Sequence, residues 1–430
     1  MTGFAYHDGR LHAEDVPLDT IAAQAGTPCY VYSQGAMQTA FDRFAAALET
    51  ATRRKPLVCF AVKANGNLSV LRALAARGAG ADVVSGGELR RALAAGISPH
   101  RIVFSGVGKT RDELAQALNA GIHQINVESR AELELLGTVA DELGTRAPVG
   151  IRVNPDVDAS THHKIATGRA GDKFGIDGPD VGEVLDTARR FSRLDVVALA
   201  VHIGSHIHDL RAFRRAFDRL TAMYGELRAG GWPLRRLDLG GGLGIAYDDD
   251  TPPPDPAAYA RVVGESVGTL DAELAFEPGR FLVANAGVLV TRVTYVKAGR
   301  ARPFVVVDAG MNDLIRPALY DAHHALTPVA EPDPAAGRAP VDVVGPVCET
   351  ADTFATACPL PPVAQGDHLA IGSAGAYGAV MASMYNARLP APEVMVHGNR
   401  WAVVQRPPDH DAVMAMQPVA DWLTREATPG

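Results

Sequence analysis

From Leu57 to Arg280 the chain alternates short β-branched apolar runs with Ala/Leu/Arg-rich stretches whose apolar positions recur at helical spacing. The runs predict eight strands: LVCFAV (57–62), ADVVS (81–85), IVFSG (102–106), QINVE (124–128), VGIRVN (149–154), VALAVHIG (197–204), RLDLGG (236–241) and ELAFEPG (273–279). Nearly continuous apolar strands joined by helical crossovers imply a parallel sheet covered on both faces. Eight such units predict a closed (β/α)8 barrel of TIM type, with a doubly wound open sheet as the alternative. Lys63, Ser85, Asn154, His202, Gly240 and Glu277 fall at or just past the C-terminal strand ends, the edge where barrels carry their chemistry.

Beyond Asn285 the pattern changes to VLVTRVTYVKA, PFVVVDAG, VDVVGPV and HLAIGSAG, separated by Pro/Gly/Asp loops, and this predicts an all-β C-terminal domain. VAEPDPAAGRAP, from Val329 to Pro340, reads as a surface loop within it. PCYVYS is strand-like yet precedes the first barrel strand, so it is free to pair with the β-domain. The expected division is an N-terminal strand segment at 1–33, a barrel at 34–285 and the β-domain at 286–430.

Composition narrows the function classes. The 430 residues are 47% hydrophobic and 21% charged, which fits globular domains with a large core and excludes bulk disorder. A formal net charge of -8 argues against a nucleic-acid surface and for small-molecule chemistry. The opening MTGFAYHDGRLHAEDVPLDT has neither a basic n-region nor an apolar core, and runs such as LDVVALAVHIG are too short to span a bilayer, so a cytoplasmic location away from membranes is expected. Cys29, Cys59, Cys348 and Cys358 form no CxxC pair and are expected to be thiols.

Lys63, in CFAVKANGN, directly follows an apolar strand, where an ammonium group is costly unless paired or neutralised. A partly desolvated pocket lowers a lysine pKa and suits an amine that forms a Schiff base with an aldehyde cofactor; a lysine snorkelling from the strand end also fits this segment. Gly240, Gly241 and Gly242 follow RRLDL and can bring backbone amides up to a phosphate, or serve as a flexible turn. EPGR sets Glu277 and Arg280 on either side of a fixed turn, able to hold a protonated pyridine nitrogen and an anion respectively, or to pair with each other. HIGSHIH offers His202, His206 and His208, but without HExxH spacing or an evident acidic or cysteine ligand no metal is expected; one histidine packing on a flat ring is the simpler reading.

Together these segments resemble the fold-type III pyridoxal-phosphate-dependent decarboxylases, which share the alanine racemase-like barrel, and among them the diaminopimelate decarboxylases most closely. The resemblance spans nearly the whole chain. It rests on AVKANGN, GADVVSGGEL, SGVGKT, RVNPDVDASTHHKIATG with KFGID, HIGSHIHDL, LGGGLGI, EPGR, DAGMNDLIRPALYDAHH, GPVCETAD and GAYGAVMASMYNAR, in the family's order. Two departures are His206, where many relatives carry glutamine, and the proline-rich run after Cys348, ETADTFATACPLPP.

The resemblance implies that Lys63 carries pyridoxal 5'-phosphate, that His202 stacks on its ring and that Glu277 meets the ring nitrogen. It assigns the phosphate to Ser205, Gly240, Gly241, Gly242, Gly279 and Arg280 with Tyr377, and the substrate to Arg280, Arg316, Tyr320, Glu349 and Tyr377. Cys348 would be the proton donor, and Cys348 and Glu349 would reach the cofactor of the neighbouring subunit of a homodimer. The activity implied is decarboxylation of meso-2,6-diaminopimelate to L-lysine and CO2. A carboxylate at position 277 favours decarboxylation over racemisation, because racemases of this fold place an arginine there. A thiol, with an ordinary pKa of about 8.5, keeps the proton it must donate. The competing readings are a decarboxylase of ornithine, lysine or a modified amino acid, and a non-catalytic relative that keeps the fold.

Overall fold

The computed structural model describes residues 1–159, 167–168, 171–247 and 253–423. Residues 160–166 of the RVNPDVDASTHHKIATG segment lie outside them, as do the last seven residues of the expected β-domain.

Eight parallel strands close into a barrel: Leu57–Ala61, Gly80–Val83, Ile102–Phe104, Gln124–Val127, Ala147–Asn154, Leu194–Ala200, Arg236–Asp238 and Glu273–Phe276, the last pairing with the first. Closure excludes the open-sheet alternative. The short strand Ile176–Asp177 adds to the fifth barrel strand outside the ring. Most strands stop earlier than their apolar runs suggest. The sixth ends at Ala200, and HIGSHIH beyond it is loop, held by Val201 N–H donating to Asp238 O and Ile207 N–H to Gly242 O. The apolar residues past the strand ends are buried all the same, because the mouth of the barrel is roofed by its own loops.

Helix starts follow from local chemistry. Asn67, Ser85, Thr110, Ser129, Asp209 and Asp255 each cap the helix after a barrel strand by accepting a backbone N–H, and Thr110 with Glu113 forms a full capping box. Removing one such cap costs about 1 kcal/mol, so six of them help define where each mouth loop ends.

Beyond Gly287 a second, mixed sheet runs in the order Thr353–Leu360, Ala339–Val344, Phe304–Val307, Gly287–Lys297, Cys29–Ser33, Glu393–His397, Arg400–Gln405. The N-terminal strand Cys29–Ser33 therefore sits inside this sheet, antiparallel to Gly287–Lys297 and parallel to Glu393–His397. Its period-two alternation explains why every residue of CYVYS is buried. Tyr30 and Tyr32 join the large core shared with the barrel, whereas Cys29 and Val31 join Val288, Val290, Val394 and Val396 under Phe4, Leu11, Leu18 and Ile21. The tyrosine hydroxyls donate to Asp313 O and Glu393 Oε2, both at 2.7 Å, so neither buried phenol is left unsatisfied. Among the described residues no helix is long and apolar enough to cross a membrane.

Candidate active site

At the C-terminal mouth of the barrel, under the edge of the second sheet, lies a cavity of about 440 Å³. It brings together Lys63, His202, Ser205, Arg280, Arg316, Tyr320 and Tyr377, residues separated by as much as 314 positions in the chain. Lys63 stands in a single 3-10 turn (Val62–Ala64) directly after the first strand. Its Nζ donates to Asp82 Oδ2 at 2.7 Å, and its side chain is one-third exposed to the cavity. Burial draws the ammonium toward the neutral form, but the carboxylates of Asp82 and Glu277 outweigh it and hold the lysine above its ordinary value. This reverses the expectation of a lowered pKa: the apolar strand that precedes Lys63 says nothing of an aspartate on the neighbouring strand.

Glu277 is buried and lies close enough to act on Lys63 electrostatically. Burial, and then the carboxylates of Asp238 and Asp82, push it well above the usual range. Burial also raises Asp238, which hydrogen-bonds Glu277, so the two acids titrate together rather than singly. Asn126 Nδ2 donates to Asp238 Oδ2 at 3.0 Å and to Ser105 Oγ at 3.1 Å, and Ser105 Oγ donates to Glu277 Oε1 at 3.2 Å. A cation placed against Glu277 would favour its ionised form, the match required by a protonated pyridine nitrogen.

His202 is neutral: burial, then Arg152 and Lys63, push its pKa well down. Gly241 N–H donates to its Nδ1 at 3.1 Å, so the remaining proton belongs on Nε2. Gly240 and Gly242 adopt left-handed backbone (φ 63° and 108°), and a Cβ on any of the three glycines would collide with the backbone of Val201, Glu277 or Gly204. Gly240 N–H is engaged by Asp238 Oδ1 at 3.1 Å, leaving the amide of Gly242 as the one of the three without a partner among the described residues. The triplet thus works first by close packing of backbone and only in part as an amide cradle.

Arg280 is 5% exposed; it donates to Ser205 Oγ at 3.1 Å and to the Tyr247 hydroxyl, and its guanidinium lies 4.8 Å from the Tyr377 ring centre. Arg316 is equally buried and lies over the rings of Tyr247 at 5.1 Å and Tyr320 at 5.9 Å. Among the described residues neither arginine has a carboxylate within salt-bridge distance. Two buried, uncompensated cations on one wall make the cavity a receptor for anions.

Cys348 and Glu349 are not in this cavity. They occupy an exposed loop whose shape is set by the buried Asp352, which accepts the N–H groups of Met311 and Val347 at 2.6 Å each. Asn386 Oδ1 accepts the Cys348 N–H at 2.9 Å, and the Tyr385 hydroxyl donates to Glu349. Asp82, Ser105, Asn126, Asp238 and Tyr247 escaped sequence reasoning. The signal for the first four was a polar side chain at a buried position of an apolar barrel strand or directly after one, as in ADVV, IVFS, QINV and RLDL; for Tyr247 there was none.

The residues present fit pyridoxal phosphate: a lysine in reach of the cavity, a neutral flat imidazole, a buried carboxylate, and an arginine, a serine and a free amide for a phosphate. A parallel barrel that gathers this set is the architecture of the pyridoxal-dependent decarboxylases, and residues 35–284 match the family described as "Pyridoxal-dependent decarboxylase, pyridoxal binding domain". The diaminopimelate decarboxylase of Zymomonas mobilis is 47% identical over 424 residues, 98% of this chain and 100% of its own length. That of Pseudomonas aeruginosa is 50% identical over 406 residues, 94% and 96% of the two chains. The crystal structure of diaminopimelate decarboxylase from Helicobacter pylori complexed with L-lysine superposes with a TM-score of 0.89 at 40% identity, covering 93% of this chain and 99% of that one. The chain belongs to the diaminopimelate decarboxylase family.

Proposed function

We propose that this protein decarboxylates meso-2,6-diaminopimelate to L-lysine and CO2 with pyridoxal phosphate on Lys63, in a homodimer whose active sites are completed by Cys348 and Glu349 of the second copy. The observation that carries the reading is the pair of buried arginines that line one cavity with Lys63 and have no carboxylate in salt-bridge reach among the described residues. A cofactor phosphate satisfies one and a substrate carboxylate that survives the reaction satisfies the other. Ornithine and lysine have no such second carboxylate.

Bound pyridoxal phosphate supplies a sink for the electron pair left on Cα when CO2 departs. Lys63 holds the group covalently, and Asp82 Oδ2 is the nearest acceptor for the proton that the amine must lose. His202, neutral and fixed through Nδ1, offers a flat face for the ring without adding charge. Glu277 would meet the ring nitrogen, while Arg280, Ser205 and the Gly242 amide would take the phosphate, with Gly240, Gly241 and Gly279 permitting the close packing of the turns around it and Tyr377 closing the rim. Arg316 and Tyr320 hold the retained carboxylate, and Glu349 the retained ammonium. Cys348 returns a proton to Cα. Its own chain leaves it exposed on a loop that meets Tyr385 and Asn386, and Met384 and Tyr385 are themselves exposed by 43% and 45%, which supports a face completed by a second copy.

The direct test is CO2 release from the purified protein with pyridoxal phosphate and, separately, meso-diaminopimelate, lysine, ornithine and arginine. Release from diaminopimelate alone is expected. Comparable kcat/KM with ornithine or lysine would overturn the substrate assignment and leave the cofactor chemistry standing.

A further inference from the structure

His324 is 1% exposed and stands directly behind Arg316. The short helix Arg316–Tyr320 ends at Asp321 in left-handed backbone (φ 51°), which turns the chain back so that residue 324 returns to the start of the helix. There the strand Leu326–Pro328 pairs with His368–Ile371, and Gly372 N–H donates to Ala325 O at 2.8 Å. His324 is thus tied to the second sheet rather than to a loose loop.

Its two ring nitrogens have opposite tasks. Nδ1 lies 2.8 Å from Gly372 O, and a carbonyl can only accept, so the proton is on Nδ1. Nε2 is then a lone pair, and Arg316 Nε donates to it at 3.3 Å. This is the guanidinium's one hydrogen bond among the described residues. Tyr247 braces both partners, meeting the His324 ring edge-on at 5.2 Å and lying under the Arg316 guanidinium.

We infer that His324 is a positioning residue for substrate recognition: by occupying Arg316 Nε it leaves the two terminal amino groups as an end-on fork for a carboxylate. A carboxylate can pair with a guanidinium through its end or through the side that includes Nε. With Nε taken from behind, only the end remains. The ring stays neutral, since burial first, and then the cations of Arg316 and Arg280, outweigh the hydrogen bond to Gly372 and hold its pKa down to about 3, so it adds no charge to the arginine.

The inference rests on Arg316 meeting the retained carboxylate, and the test separates the two. His324→Asn keeps a donor near Gly372 O but loses the acceptor for Arg316, whereas His324→Gln carries an amide oxygen out to the Nε2 position. In the cofactor-loaded enzyme His324→Asn should raise KM for meso-diaminopimelate about 10- to 100-fold with kcat little changed, the effect of losing a hydrogen bond to a charged donor used in ground and transition state alike. His324→Gln should recover most of that loss, and in an Arg316→Leu background His324→Asn should add nothing, because the two act as one unit. A merely structural histidine would instead lower kcat and KM performance in both variants and add its full effect to Arg316→Leu, which would overturn the inference. A raised KM in Arg316→Leu beside an unchanged KM in His324→Asn sinks only the positioning role. An unchanged KM in Arg316→Leu sinks the recognition reading and the inference together.

Discussion

The two ends of the barrel treat charge in opposite ways. At the N-terminal end, Arg236 pairs with Glu273 at 3.0 Å, Arg235 with Asp195 at 2.9 Å and Arg193 with Asp141 at 3.6 Å, mostly exposed and each cation matched by an acid. At the mouth, Arg280 and Arg316 are buried with no acid in salt-bridge reach among the described residues, while Lys63 is held by Asp82 and lies in the field of Glu277. Matched surface pairs contribute little to stability and ask nothing of a ligand. Buried, unmatched groups cost stability, and they are retained where a ligand compensates them. The imbalance, more than the presence of charge, marks the working end of the fold.

Removing the centre of that imbalance should have the largest effect. Lys63→Ala is expected to abolish turnover while leaving the fold, and borohydride reduction of the cofactor-loaded wild type should fix a pyridoxyl group on Lys63; a label on another lysine, read by peptide mass, would break the assignment. Second in size, Glu277→Gln should lower kcat on the order of 100-fold with the cofactor still bound, since a preorganised charge opposite the ring nitrogen is lost and the phosphate contacts remain. Wild-type kcat in that variant would remove Glu277 from the chemistry.

The proposed role of Cys348, which lies outside the cavity of its own chain, is sharpened by mixing subunits. Lys63→Ala and Cys348→Ala are each expected to be inactive, but after full exchange about a quarter of wild-type activity should return, because half the dimers are mixed and each has one complete site. No recovery despite verified exchange would place the cysteine in its own chain's site.

The smallest effects should come from the opposite end. Glu273→Gln should shift stability by less than about 1 kcal/mol and leave kcat/KM unchanged; a marked loss of activity would undo the contrast between the ends. His123 there has its pKa lowered to about 4, by burial first and Arg236 second. Its folded value lies below the unfolded one of about 6.5, so the unfolded chain binds the proton more readily and stability falls as pH drops from about 6.5 toward 4. His123→Asn should weaken this acid sensitivity, seen as a smaller fall in Tm between pH 7 and pH 5.

Much of the molecule was legible in the chain. Short, nearly continuous apolar runs alternating with stretches of helical period marked all eight barrel strands, and position just past the strand ends placed Lys63, His202, Gly240 and Glu277 at the mouth, because strand direction alone decides which end a residue occupies. Strand ends were overrun, as at Ala200, because apolar residues roofing the mouth look the same in sequence as residues of the ladder. What lies beside what was decided by tertiary structure. Cys29–Ser33 enters a sheet between strands more than 250 and 360 residues away, and Asp82 meets Lys63 only because their strands are neighbours in the ring. The raised pKa of Lys63, the coupling of Asp238 to Glu277, and the brace of His324 on Arg316 follow from such neighbours. A pKa or a hydrogen bond depends on distances of a few ångströms between side chains, and those distances exist only once the ring has closed.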